Sequence, residues 1–74
     1  MNKQRKTKIK DIALRLRYIN NDLQKILDDE QDYYDNIPEN LQSSLRADTS
    51  EEAIDELTDT IDNLNEIIDC LNAM

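Results

Sequence analysis

The sequence predicts an all-α protein: an antiparallel helical hairpin with a short hinge helix, dimerising into a four-helix bundle. Three observations carry this prediction. Apolar residues recur in alternating steps of three and four along two long segments, the spacing of a helix with one buried stripe. The only proline, Pro38, lies between those segments, and the chain of 74 residues contains no glycine. A chain this short obtains only about 3–5 kcal/mol from a single core, so apolar lanes beyond one stripe call for a second surface to cover them.

The first segment runs Ile9, Ile12, Leu16, Ile19, Leu23, Ile26, Glu30 and Tyr33. With Ile9 at position a of a heptad, these residues fill a and d, and Ala13, Leu27 and Tyr34 add apolar character at e. The predicted helix covers 9–35, preceded by a basic arm over 1–8. Glu30 is the one charge on a seam position, placed toward the hinge, where its carboxylate reaches water. Tyr33 and Tyr34 are expected beneath the hinge with their hydroxyls outward.

Pro38 lacks a backbone donor and disfavours helical geometry at Ile37, so the first helix should stop near Asn36. Proline suits a first helical position, and the four-residue spacing of Leu41 and Leu45 predicts a short helix over 38–46 whose leucines cap the open end of the hairpin. Thr49 then has the side chain of an N-cap with Glu52 at capping-box spacing. Acidic Glu51, Glu52 and Asp55 would complement the dipole of a helix over 50–72. Its seam is Ile54, Leu57, Ile61, Leu64, Ile68 and Leu71, with Ala53, Ile67 and Met74 in the g lane.

Two registers satisfy the seams. One sets Tyr33 against Ile54 and Leu16 against Leu71, leaving the chain before Ile12 as a free basic arm. A one-heptad slip sets Ile26 against Ile54 and Ile9 against Leu71, bringing Lys3 to Lys10 nearer the acidic end of the second helix. In either case the spare lanes, Leu27, Tyr34, Ala53, Ile67 and Met74, are the predicted dimer or partner interface. A homodimer is expected, with a hetero-complex through the same surface as the alternative.

The net charge of −8 is unevenly distributed. Lys3, Arg5, Lys6, Lys8, Lys10, Arg15 and Arg17 crowd the first 17 residues, whereas all 17 acidic residues except Asp11 lie beyond Tyr18. The basic segment is a candidate polyanion-binding site that would neutralise several phosphates. No aromatic interleaves it, so base stacking is not expected. Such a small hairpin dimer is similar in outline to the Rop-type RNA-binding bundle, by architecture alone. The acidic body suggests the opposite role, with helix-spaced carboxylates imitating a phosphate backbone. The basic start is not followed by the apolar run of a signal peptide, and no segment approaches the ~20 apolar residues of a membrane span. A cytoplasmic protein of a bacterial host is expected, without membrane contact.

Catalysis is not expected. There is no histidine, which removes nucleophile triads and Cys–His pairs. The absence of glycine argues against phosphate-binding loops and calcium loops. Cys70 falls on an outward lane beside Asp69, a setting that does not favour thiolate. Asp55, Asp59, Asp62, Glu66 and Asp69 recur along the second helix. Glu52-x-x-Asp55 and Asp59-x-x-Asp62 have the spacing of magnesium-binding helical pairs, but the first helix offers no facing acidic pair. No cofactor and no metal are expected, and the carboxylates form a solvated face.

The hinge carries a family likeness. Asp32-Tyr33-Tyr34-Asp35-Asn36-Ile37-Pro38-Glu39-Asn40-Leu41-Gln42-Ser43-Ser44, followed by Glu51-Glu52-Ala53-Ile54-Asp55-Glu56-Leu57, resembles short helical-hairpin proteins encoded by phages, prophages and mobile elements of Gram-positive bacteria. The likeness spans roughly residues 28–71, with Asn-Ile-Pro-Glu-Asn-Leu-Gln as its most specific part. It implies a phage or mobile-element setting and a helical hairpin, and it assigns no activity or site. The expected function is a non-catalytic protein–protein interaction module, most sharply an acidic inhibitor or modulator of a host protein. The alternatives are a small dimeric nucleic-acid-binding bundle using the basic segment, and a structural or assembly coiled coil.

Overall fold

The computed structural model describes residues 1–41 and 44–74. Two helices pack side by side, α1 (Lys3–Asp35) and α2 (Leu45–Asn72), joined by a 3-10 turn over Glu39–Leu41. The hairpin is a narrow rod of 59 × 14 × 12 Å, and among the described residues there is no strand.

α1 begins at Lys3, so most of the expected basic arm is helix. Asn2 caps it, its side chain accepting from the Arg5 amide at 2.9 Å. Lysine, arginine and glutamine are good helix formers without any apolar repeat, which is why the helix runs on past its seam. At the other end Asn36 donates from its backbone and its side chain to the Asp32 carbonyl, at 3.1 and 2.7 Å. Pro38 follows two residues later, and α1 stops where proline requires.

α2 starts five residues earlier than expected. Ser44, not Thr49, is the N-cap and accepts from the Ala47 amide at 3.3 Å. Thr49 lies inside the first turns, its hydroxyl donating to the Leu45 carbonyl at 2.8 Å, an alternative use of a hydroxyl near a helix start. The predicted helix over 38–46 is replaced by the 3-10 turn and the start of α2; Gln42 and Ser43 lie outside the described residues. Leu41 and Leu45 do not close the hairpin, since both are exposed, Leu45 to 81%. Ile37 and Ala47 are the buried residues at that end, Ala47 being small enough to let the chains meet.

The seam of α2 is the expected one, with Ile61 and Ile68 buried and Ile54, Leu57, Leu64 and Leu71 half-buried. The seam of α1 is turned by one lane. Position a contributes Ile9, Leu16, Leu23 and Glu30 as expected, all half-buried, but its companion is lane e rather than lane d: Ala13 and Asn20 are buried, Leu27 and Tyr34 half-buried. Three side-chain bonds fix the register. Asn20 Nδ2 donates to the Ile61 carbonyl at 3.3 Å and to Asn65 Oδ1 at 2.9 Å, and the Tyr34 hydroxyl donates to Glu51 Oε1 at 3.1 Å. Stepping from these bonds along both helices sets Ala13 level with Leu71, Leu16 with Ile68, Leu23 with Ile61, Leu27 with Leu57 and Glu30 with Ile54. Neither expected register holds; the observed one lies between them, because the rotated lane shifts every layer.

Candidate functional site

Rotation of α1 decides which residues are left over. Lane d, which the periodicity assigns to the core, faces outward: Ile12, Ile19, Ile26 and Tyr33 are 42%, 51%, 53% and 45% exposed. They recur every seven residues and so form one straight stripe along a helix paired in a coiled coil. On α2 lane g is similarly placed, with Ala53 half-buried, Thr60 exposed, and Ile67 and Met74 about half exposed.

The two stripes share one side of the hairpin. Asn20 and Tyr34 lie on the opposite side of the seam, where they reach Asn65 and Glu51 of lane e on α2. Lane d of α1 and lane g of α2 flank the seam away from those bonds. With the register fixed, Met74 lies near Ile12, Ile67 near Ile19, Thr60 near Ile26 and Ala53 near Tyr33. One broad face is therefore apolar, while the other presents Lys10, Arg17, Gln24 and Gln31 beside Glu51, Thr58 and Asn65, all exposed. A contiguous exposed apolar face rimmed by charge is the usual mark of an interaction surface.

Of the residues expected at an interface, Ala53, Ile67 and Met74 lie on this face. Leu27 and Tyr34 do not: they are drawn into the seam of the hairpin, in the place expected for Ile26 and Tyr33. The stripe of Ile12, Ile19 and Ile26 was hidden in the sequence by its own hydrophobicity. The signal that could have exposed it is the pair Asn20 and Asn65, short amides able to bond across two helices and so to draw lane e inward.

At the hinge end the stripe runs into an open cleft of about 570 Å³, lined by Tyr33, Ile37, Pro38, Leu41, Leu45 and Arg46 among others. Across the seam, the Tyr34 hydroxyl is held above its usual pKa, first by its hydrogen bond to Glu51, then by desolvation and by the charges of Glu51, Asp35 and Asp48. Glu30 is half-buried level with Ile54, in keeping with its seam position.

Lys3, Arg5, Lys6, Lys8, Lys10, Arg15 and Arg17 are all exposed. The register puts Met74 near the level of Lys10, so the turns of α1 holding Lys3 to Lys8 project beyond α2. Arg15 pairs with Asp11 at 3.2 Å on the surface of α1, with both side chains about two-thirds exposed, a contact of small energetic weight. The carboxylates Asp55, Asp59, Asp62, Glu66 and Asp69 are exposed along α2, and Cys70 is a free, exposed thiol. Among the described residues no three His, Cys, Asp or Glu side chains converge as metal ligands would. No helix there is long and apolar enough to cross a membrane.

Comparison with protein-family models, with curated proteins and with solved structures yields no match. The helical hairpin and its exposed face are what define this chain.

Proposed function

We propose that this protein is a non-catalytic protein–protein interaction module whose working surface is the apolar face of Ile12, Ile19, Ile26, Tyr33, Ala53, Ile67 and Met74. The observation that carries this reading is the continuity of that face across both helices, beside a second face that is mostly polar, with Leu14 its exposed apolar exception. Water-exposed isoleucines at seven-residue spacing have a use when another helical surface covers them. The strongly acidic outer lanes of α2 give the module a negative exterior, suited to a basic protein surface. The hinge's resemblance to phage and mobile-element proteins supports a setting in the cytoplasm of a bacterial host, with a host or phage protein as the target of that acidic exterior.

A second reading rests on the overhang of α1. Its projecting turns carry Lys3, Arg5, Lys6 and Lys8 away from the acids of α2, as a polyanion-binding helix would require. A tagged pull-down from bacterial lysate, with and without nuclease, separates the two. A stoichiometric protein that survives nuclease and is lost with Ile26→Glu is the result expected for the interaction module. Recovery of nucleic acid, with every co-purifying protein lost on nuclease treatment, would replace that reading with the second.

A further inference from the structure

We infer that the occupant of the apolar face is a second copy of this chain, laid on it end for end, with the two-fold axis passing beside Ile19. This rests on the reading of that face as an interaction surface and adds the identity and orientation of what covers it.

The lane bordering the α1 stripe holds Lys8, Arg15, Asp22 and Asp29, again every seven residues and all exposed. Two cations are followed by two anions at equal spacing. Such a lane complements itself when a second α1 runs alongside in the opposite direction, with Lys8 beside Asp29 and Arg15 beside Asp22 of the other copy. The same alignment sets Ile19 against its own counterpart and Ile12 against Ile26. It also superposes α1 on its whole length, because Ile19 is the midpoint of Lys3–Asp35. On α2, Ile67 lies near the level of Ile19, so the axis passes close to both residues and the second helices pair as well. Each α2 then places Thr60 against Met74 of the other. The contact is isologous, as in most homodimers.

Orientation follows from charge a second time. α1 carries its charges against its own dipole: Lys3, Arg5 and Lys6 open it, Asp32 and Asp35 close it, and neither end has the complementary sign. Turned end for end, a second copy brings its basic start to the acidic hinge of Asp28, Asp32, Asp48 and Glu52, and receives the same in return. Two copies related by an axis along the rod would instead gather both basic ends together. Exposed ion pairs contribute little each, so the apolar stripe supplies the affinity and the charges choose the direction.

The test is sedimentation of the unaltered chain, followed by disulfide trapping in a Cys70→Ser background. The expected mass is twice 8.7 kDa. Ile19→Cys should cross-link to itself under mild oxidation, because facing Cβ atoms come within disulfide range. Ile12→Cys alone should not, and mixing it with Ile26→Cys should restore cross-linking. Circular dichroism keeps a misfolded variant from being mistaken for a negative result, since these side chains are exposed in the single hairpin. A monomer at all concentrations overturns the proposal. So does a dimer in which Ile12→Cys traps itself, which would place like ends together. Either result would leave the interaction surface open to a different protein, which the pull-down reads independently.

Discussion

Asn20 donates its side-chain amide to Asn65 Oδ1 at 2.9 Å and to the Ile61 carbonyl at 3.3 Å, across the middle of a mainly apolar seam. Asn20 is only 6% exposed, and its Oδ1 has no partner. A buried amide that is half satisfied costs stability compared with an apolar side chain, and it returns specificity of alignment. In this hairpin it holds lane e of α1 against α2 and so turns Ile12, Ile19 and Ile26 outward. The seam polarity and the exposed face are two aspects of one rotation.

Replacing Asn20 by Asp tests that bond. The substitution removes the donor and buries a carboxylate facing two oxygens. A loss of about 1–3 kcal/mol at neutral pH is expected. Urea denaturation followed by circular dichroism should show it, with part of the loss recovered in acid as the carboxyl takes a proton.

Ser50 offers the opposite case. It is 2% exposed, level with Tyr34, and its hydroxyl has no hydrogen-bond partner. Ser50→Ala removes an unpaired buried polar atom and should stabilise the hairpin by about 0.5–1.5 kcal/mol. A fall in the denaturation midpoint would show that the hydroxyl is satisfied in solution.

Tyr34 predicts a pH dependence. Its raised pKa means that the neutral phenol is favoured in the folded state, chiefly by the bond to Glu51. That contribution is fully present below the ordinary tyrosine pKa of about 10 and is lost as the pH rises through the raised value. Ultraviolet titration should show the Tyr34 phenol ionising late. Tyr34→Phe should delete that step, and Glu51→Gln should move it back toward the ordinary tyrosine value. A late step that survives Tyr34→Phe would belong to another residue.

The basic overhang can be altered without touching the seam. Lys6, Lys8 and Lys10 are exposed, so changing all three to Gln should leave helicity intact. Any binding to heparin or duplex DNA that weakens with salt should weaken further or disappear in this variant. Unchanged polyanion binding would locate it elsewhere on the chain.

Much of the fold is legible in residue spacing. Pro38 ends α1 where expected, and Ile54 to Leu71 form the seam of α2 in the predicted lanes. The rotation of α1 is not legible in the same way. Lane a is shared by two possible stripes, one completed by Ile12, Ile19 and Ile26, the other by Ala13, Asn20 and Leu27. Hydrophobicity favours the first, whereas packing chose the second: Ala13 allows close approach and Asn20 finds a partner in Asn65, a contact 45 residues away in sequence. Likewise Ser44 and Thr49 are both chemically fit to cap α2, and the choice of Ser44 depends on the turn that precedes it. The exposed apolar face was therefore half visible, through Ala53, Ile67 and Met74, and half concealed inside the residues that looked most like core.

Thermal unfolding of two single variants tests the central claim most directly. Leu23 lies in the seam level with Ile61, and Ile26, three residues on, lies on the exposed face. Leu23→Glu should abolish most helicity and lower the melting midpoint steeply, whereas the hairpin of Ile26→Glu should remain helical as a monomer. If Ile26→Glu unfolds the chain as thoroughly as Leu23→Glu, even at high protein concentration, lane d belongs to the core and the exposed face does not exist.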